Sequence, residues 1–208
     1  MELIKKYFPE ITDEQLGQFS QLAHLYEDWN SKINVVSRKD IDQLPIRHVL
    51  HSLAIAKFVK FRSNASILDL GTGGGFPGIP LAILYPNVNF TLIDGTAKKI
   101  LVVNEVANAL GLKNVKALQY RAEEWKGGKF DFVVTRAVAK VLKLYEWSIP
   151  LLKRNHVHAS PNGIIALKGG NLAAEILELP KKSYTELIPI DFFDDPFFDE
   201  KSIVYVQG

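Results

Sequence analysis

Cysteine is absent from all 208 residues, which excludes disulfides, thiol nucleophiles and thiolate metal ligands. That absence fits a cytoplasmic protein. No apolar run approaches the roughly 18–20 residues that a bilayer-spanning helix needs. The first residues, with Glu2, Lys5 and Lys6, carry no signal-like apolar core, so no membrane partner is expected. Several enzyme signatures are missing too: there is no G-x-S-x-G elbow, no P-loop and no H-E-x-x-H. His48 and His51 stand three apart, but with no cysteine and no evident third ligand they do not make a metal site, and no metal is expected. His156 and His158 read as surface residues of a loop. Charge of one sign is also scarce, with 25 basic and 23 acidic residues giving a net +2. Its distribution is uneven, however. Asp191, Asp194, Asp195, Asp199 and Glu200 crowd one stretch that has no Lys or Arg. Setting those five charges aside leaves the rest of the chain at +7, a body suited to an anionic partner.

Helical signals come first. Thr12-Asp13-Glu14-Gln15 reads as a capping box, followed by Leu16, Phe19, Leu22, Ala23, Tyr26 and Trp29 at helical spacing. A second helix is expected from about Leu44-Pro45 to Val59. Strands are then expected at Ser66–Leu70, Asn89–Asp94, Val115–Tyr120, Phe130–Thr135, Gly163–Lys168, Tyr184–Ile190 and Ile203–Val206. Helices are expected between most of them, at Pro77–Tyr85, Ala97–Leu110, Val141–Leu152 and Leu172–Leu179. Strands alternating with helices argue for an α/β fold with a parallel, doubly wound sheet. The last two strands have no helix between them and are expected to form an antiparallel hairpin at one edge. The domain reading is a helical extension over residues 1–62 and a ligand-binding domain over 63–208, forming one compact unit. Asp194-Asp195-Pro196-Phe197-Phe198 reads as an ordered surface loop with aromatic anchors.

The most informative segment runs from Ile67 to Gly78 as ILDLGTGGGFPG. An apolar strand ends in an acid, and glycines then crowd a turn into a helix. Such a turn lets backbone amides approach a ligand that side chains would exclude. The dinucleotide fingerprint G-x-G-x-x-G is met by Gly71 and Gly73 but fails at Phe76. The pattern acid-x-G-x-G-x-G is met in full by Asp69, Gly71, Gly73 and Gly75. It resembles the first motif of class I methyltransferases, which bind S-adenosyl-L-methionine. A glycine turn that only packs helix on strand is the alternative reading. Three more features converge at the carboxyl ends of the strands, where such sheets bind ligands. Asp94 ends the second strand, 23 positions after Gly71, and suits a ribose diol; its alternative role is a helix cap. Ala122 and Glu123 follow the third strand, where an adenine would be read through backbone groups. Arg136 ends the fourth strand at the mouth of the site. Lys98 and Lys99 either steer an anion or complete a solvated face.

Together these segments resemble one family closely, the bacterial small-subunit (16S) rRNA methyltransferase G family, also called glucose-inhibited division protein B. The matching pieces are Trp29-Asn30, Asn34, Arg47-His48 with Ser52-Leu53, the block from Asp69 to Ala82, Asp94, Ala122-Glu123, Arg136-Ala137 and Leu167-Lys168-Gly169. The resemblance implies a Rossmann-like class I methyltransferase fold with a seven-stranded sheet. It implies S-adenosylmethionine as cofactor, contacted by Gly71, Phe76, Ala122, Glu123 and Arg136, to which the glycine motif and the second strand end add Asp69, Gly73, Gly75 and Asp94 as expected cofactor-binding residues. The implied substrate is a guanine N7 in the decoding-region loop of 16S rRNA, guanine 527 in the usual rRNA numbering. RNA or a small-subunit assembly intermediate would meet Arg38, Arg47, His48 and Lys168, with the protein acting as a monomer. The chain departs from the family at two places: His51 stands where the family usually has an Asp before Ser52, and Lys201 where it usually has an arginine before the last strand. The basic tail of the family is short or missing here.

Guanine N7 has an exposed lone pair and needs no deprotonation, so no general base is expected and Arg136 would position rather than abstract a proton. The basic residues Arg38, Lys39, Arg47, Lys57, Lys60 and Arg62 are expected to grip the RNA backbone. Three rival readings stay open on the residues alone. A small-molecule methyltransferase would share the cofactor site. An NAD-dependent oxidoreductase would share Asp94. A non-enzymatic RNA-binding module would use the basic residues but not the glycine loop.

Overall fold

A computed structural model describes residues 2–37 and 40–208. Helix α1 spans Glu2–Tyr7 and α2 spans Asp13–Lys32. The capping box forms as the sequence requires. Gln15 N–H donates to Thr12 Oγ1, and Thr12 N–H donates to Gln15 Oε1. The same Gln15 amide also donates to the Ile83 and Leu84 carbonyls, so one side chain starts α2 and closes the end of another helix. The expected second helix occupies its span, but its winding changes partway. Leu44–Leu50 is π-helical, with His51 N–H bonded to Ile46 O, and an α-helix, α3, continues over His51–Phe58. Pro45 sits in the first turn, where a missing N–H costs nothing.

The sheet has seven strands: β1 (Ser66–Leu70), β2 (Asn89–Asp94), β3 (Val115–Gln119), β4 (Phe132–Arg136), β5 (Gly163–Gly169), β6 (Thr185–Pro189) and β7 (Lys201–Gln207). Their spatial order is β3-β2-β1-β4-β5-β7-β6. β1 to β5 are parallel, and β7 runs antiparallel to both β5 and β6. The hairpin is therefore present, but its second strand is the inner one, and β6 forms the edge. Ile203, Val204, Tyr205 and Val206 are buried, which suits β7 to the inner place, while every residue of the outer strand is half-buried or exposed. Helices α4 (Gly78–Leu84), α5 (Ala97–Ala109), α6 (Val141–Ser148) and α7 (Ala173–Leu177) connect the strands. The last two are shorter than the sequence pattern suggests. Pro150 falls in a 3-10 turn after α6, and Pro180 follows α7. The strand order reverses between β1 and β4, so the crevice of this doubly wound sheet lies beyond Leu70 and Arg136.

Apolar side chains fill both faces. One buried cluster joins Ile4, Phe19, Leu22 and Leu53 of the N-terminal helices to Ile67, Phe90 and Ile165 of the sheet. A second lies on the other face around Leu68, Val133, Leu144 and Ile164. The N-terminal helices thus share a core with the sheet. No helix among the described residues is long and apolar enough to cross a membrane.

Candidate active site

The glycine loop is built around Asp69. This carboxylate is fully buried, and Oδ2 accepts from Thr72 Oγ1 at 2.6 Å and from Gly78 N at 2.8 Å. It therefore ties the end of β1 to the start of α4. Its other oxygen has no hydrogen-bond partner among the described residues. Burial raises the carboxyl to about 7, against the pull of the Thr72 and Gly78 bonds and the Arg136 charge. The three motif glycines adopt left-handed backbone, with φ of +70° at Gly71, +58° at Gly73 and +100° at Gly75. Gly71 also has no room for a side chain, since a Cβ there would lie 2.5 Å from Val138 Cγ2. The loop amides are mostly spent within the protein. Thr72 N–H donates to Ile93 O, Gly73 N–H to Asp94 Oδ2, and the Gly75 and Phe76 amides to Thr72 O. The Gly71 amide has no partner among the described residues.

This loop forms one wall of a chamber of about 390 Å³, together with Asp94, Ala122, Glu123 and the apolar side chains of Leu70 and Ile93. Asp94 takes the helix-start role and lines the chamber. Oδ1 accepts from Thr96 N at the start of α5, and Oδ2 accepts from Gly73 N, while Lys99 lies 3.5 Å away. The lining also includes Trp147, whose buried Nε1 has no hydrogen-bond partner among the described residues. A free amide, an acceptor-rich carboxylate, an unpartnered indole N–H and apolar flanks match a nucleoside carrying a ribose diol. Asp69, Gly75 and Phe76 stand behind this wall rather than in it. Gly73 reaches it through its bond to Asp94.

A second chamber, about 560 Å³, adjoins the first. Arg47, His48 and His51 come from the π-helical segment and α3, Arg136 from β4, Lys168 from β5 and Lys201 from β7. Arg136 lies here and not in the nucleoside chamber. Its Nη1 donates to Arg47 O at 3.1 Å, its Nη2 faces His48 Nδ1 at 2.8 Å, and its guanidinium lies over the Phe76 ring at 5.2 Å. Burial lowers it to about 10, with the Asp69 charge opposing, so it stays protonated at neutral pH. Burial and the Arg136 charge push both His48 and His51 down to about 3. The sole carboxylate among the described lining residues, Asp40, pairs with Arg47 at 2.5 Å. Val138 borders both chambers and is the partition between them.

Of the expected RNA contacts, the structure gathers Arg47, His48 and Lys168 in this second chamber. Arg38, like Lys39, lies outside the described residues. Lys168 turns inward: its ammonium donates to Ala139 O at 2.9 Å and pairs with Glu175 at 2.8 Å. Glu175 in turn accepts from Val141 N, and the Lys168 bond holds its carboxyl below the usual range. The pair braces the 137–140 loop that carries Val138. The other basic residues of the N-terminal segment do not join one surface. Lys57 and Lys60 line a separate groove beside Tyr7 and Phe8, and Arg62 donates to Val157 O near the opposite strand ends. Sequence reading missed Glu175 as a brace, Val138 as a partition and Tyr26, whose hydroxyl donates to Gly74 O behind the loop. Of the two aromatic anchors expected in the 194–198 loop, Phe198 is buried, while Phe197 packs only partly on the core and faces the chamber under Arg47 and Lys201. No local signal marks these roles, because each depends on segments far apart in the chain.

Solved structures share this architecture. A SAM-dependent methyltransferase from Aquifex aeolicus matches with a TM-score of 0.59 at 18% identity, over 82% of this chain and 98% of that one. The plantazolicin methyltransferase BpumL, in complex with SAH, matches with a TM-score of 0.60 at 13% identity, over 94% and 98%. At such identities the likeness establishes the fold alone. Sequence comparison reaches further. The family model GidB, described as rRNA small subunit methyltransferase G, matches residues 15–192. A ribosomal RNA small subunit methyltransferase G of Flavobacterium psychrophilum is 53% identical over 206 residues, covering 99% of this chain and 97% of that one. One of Bacteroides fragilis is 53% identical over 209 residues, covering 99% of each. The glycine loop, the Asp94 chamber and the adjoining cationic chamber therefore belong to a member of the rRNA small subunit methyltransferase G family, whose methyl donor is S-adenosylmethionine.

Proposed function

We propose that this protein transfers a methyl group from S-adenosylmethionine to N7 of a guanine in small-subunit (16S) rRNA. It would act as a monomer in the cytoplasm, on the rRNA or on an assembling subunit. The observation that carries the reading is the pair of chambers divided by Val138, one suited to a nucleoside and the other cationic. When bound, the cofactor supplies an electrophilic methyl on a sulfonium. Gly71, Asp94 and Ala122 would hold it, with Val138 at the passage to the second chamber.

The acceptor chamber favours a nucleophile that needs no base. Both histidines are held far below their ordinary value, and Asp40 is tied to Arg47. An exocyclic amine or a hydroxyl would have to lose a proton to some group here. Guanine N7 attacks with its own lone pair, and the electrons of the broken carbon–sulfur bond stay on sulfur, so no proton moves. Arg47 and Lys201 add positive potential where phosphates would pass. The reaction then depends on positioning the base at near-attack distance.

The test is to incubate the full chain with small subunits, free 16S rRNA or small amines and isotopically labelled S-adenosylmethionine. Digested RNA is then analysed by nucleoside mass spectrometry. Label in 7-methylguanosine is the expected result. Label in another nucleoside, or only in the amines, overturns the reading.

A further inference from the structure

Arg136 and His48 meet at 2.8 Å through Nη2 and Nδ1. A guanidinium has only donors, so the imidazole nitrogen facing it must be the acceptor. The single ring proton of His48 then resides on Nε2. That atom has no hydrogen-bond partner among the described residues, and the ring lines the acceptor chamber. Its orientation is fixed from two sides, since the ring packs edge-on to Phe76 at 5.0 Å and sits on the π-helical segment that continues into α3. The two long basic side chains nearby are drawn elsewhere, with Lys201 over the Phe197 ring at 5.0 Å and Arg47 on Asp40.

We infer that His48, locked by Arg136 as its Nε2–H tautomer, donates a hydrogen bond to O6 of the target guanine and is a specificity-determining residue of the site. The inference rests on the guanine-N7 reading. O6 and N7 share the same edge of guanine, so a donor on O6 orients the base while leaving the N7 lone pair free. Adenine presents an amino group at the same place, and two donors would then face each other. Low basicity serves this role as well. Burial, and then the Arg136 charge, keep His48 from gaining a second proton at working pH, so the hydrogen-bond pattern does not change with pH. Arg136 thereby acts through His48, as a positioning residue with two nitrogens committed inward.

Two substitutions separate this role from mere support of Arg136. Gln in His48→Gln can place an amide N–H where Nε2–H stood. Asn in His48→Asn offers an acceptor to Arg136 but no donor at the Nε2 position. With full-length protein and small subunits, His48→Gln should keep kcat/KM within about three-fold of the parent. His48→Asn should lose about ten-fold or more. Both should bind S-adenosylmethionine as tightly as the parent. A second arm uses reconstituted subunits with inosine or 2-aminopurine at the target. Inosine keeps O6 and should be methylated normally. The analogue lacking O6 should be about ten-fold slower with the parent protein and no slower than guanine with His48→Asn. His48→Asn equal to or better than His48→Gln overturns the inference, as does an unchanged parent rate on 2-aminopurine. If the parent forms no 7-methylguanosine at all, the guanine-N7 reading fails instead.

Discussion

Asp69 gives a stability signature that a pH series can read. The carboxyl is fully buried, has one oxygen without a partner, and is raised from 3.8 to about 7. Below about pH 3.8 it is protonated both folded and unfolded, and no penalty arises. As pH rises, the unfolded chain releases the proton first, so stability falls and the full loss is reached near pH 7. The whole window corresponds to about 4 kcal/mol. Asp69→Asn removes the titration and keeps a carbonyl for Thr72 Oγ1–H and Gly78 N–H. The Asn variant should therefore gain about 2–4 kcal/mol relative to the parent between pH 4.5 and pH 8. In urea this is a relative midpoint shift of about 1–2 M, followed by tryptophan fluorescence. The Asp69–Arg136 attraction exists only when Asp69 is ionised and is already contained in the shift to about 7, so it adds no separate slope. Parallel stability curves for the two proteins across that range would refute the reasoning and mean that Asp69 is comfortably ionised in the fold.

Gly71→Ala brings a Cβ within 2.5 Å of Val138 Cγ2 and forces a left-handed alanine, at about 1–2 kcal/mol for the backbone alone. Calorimetry should show S-adenosylmethionine affinity falling about ten-fold or more, and an unchanged Kd would mean that the loop does not cradle the cofactor. Arg136→Ala should lower methyl transfer about 100-fold or more, by analogy with loss of a preorganised donor, while circular dichroism shows the fold intact. Unaltered turnover would remove Arg136 from the reaction. Lys168→Met strands Glu175 and the Ala139 carbonyl. It should reduce kcat about ten-fold with cofactor affinity little changed, because the 137–140 loop loses its brace. A normal kcat would show that the loop holds its place without Lys168.

The order of strands and helices, the capping box at Thr12 and the left-handed glycines of the loop were all determined by the sequence alone. Each rests on local chemistry: period-2 and period-3.6 burial, a side chain reaching three residues, or a backbone conformation that only glycine takes freely. The convergence of Gly71, Asp94, Ala122 and Glu123 was legible for the same reason, since a parallel doubly wound sheet brings the ends of its strands to one crevice. Tertiary structure alone decided the rest. It put β7 inside β6, sent Lys168 inward to Glu175, set Val138 as the wall between two chambers and turned Arg136 onto His48. These outcomes depend on which distant side chains meet in a crowded, weakly polar interior. There a charge must find its partner or shift its pKa, and neither spacing nor composition names that partner.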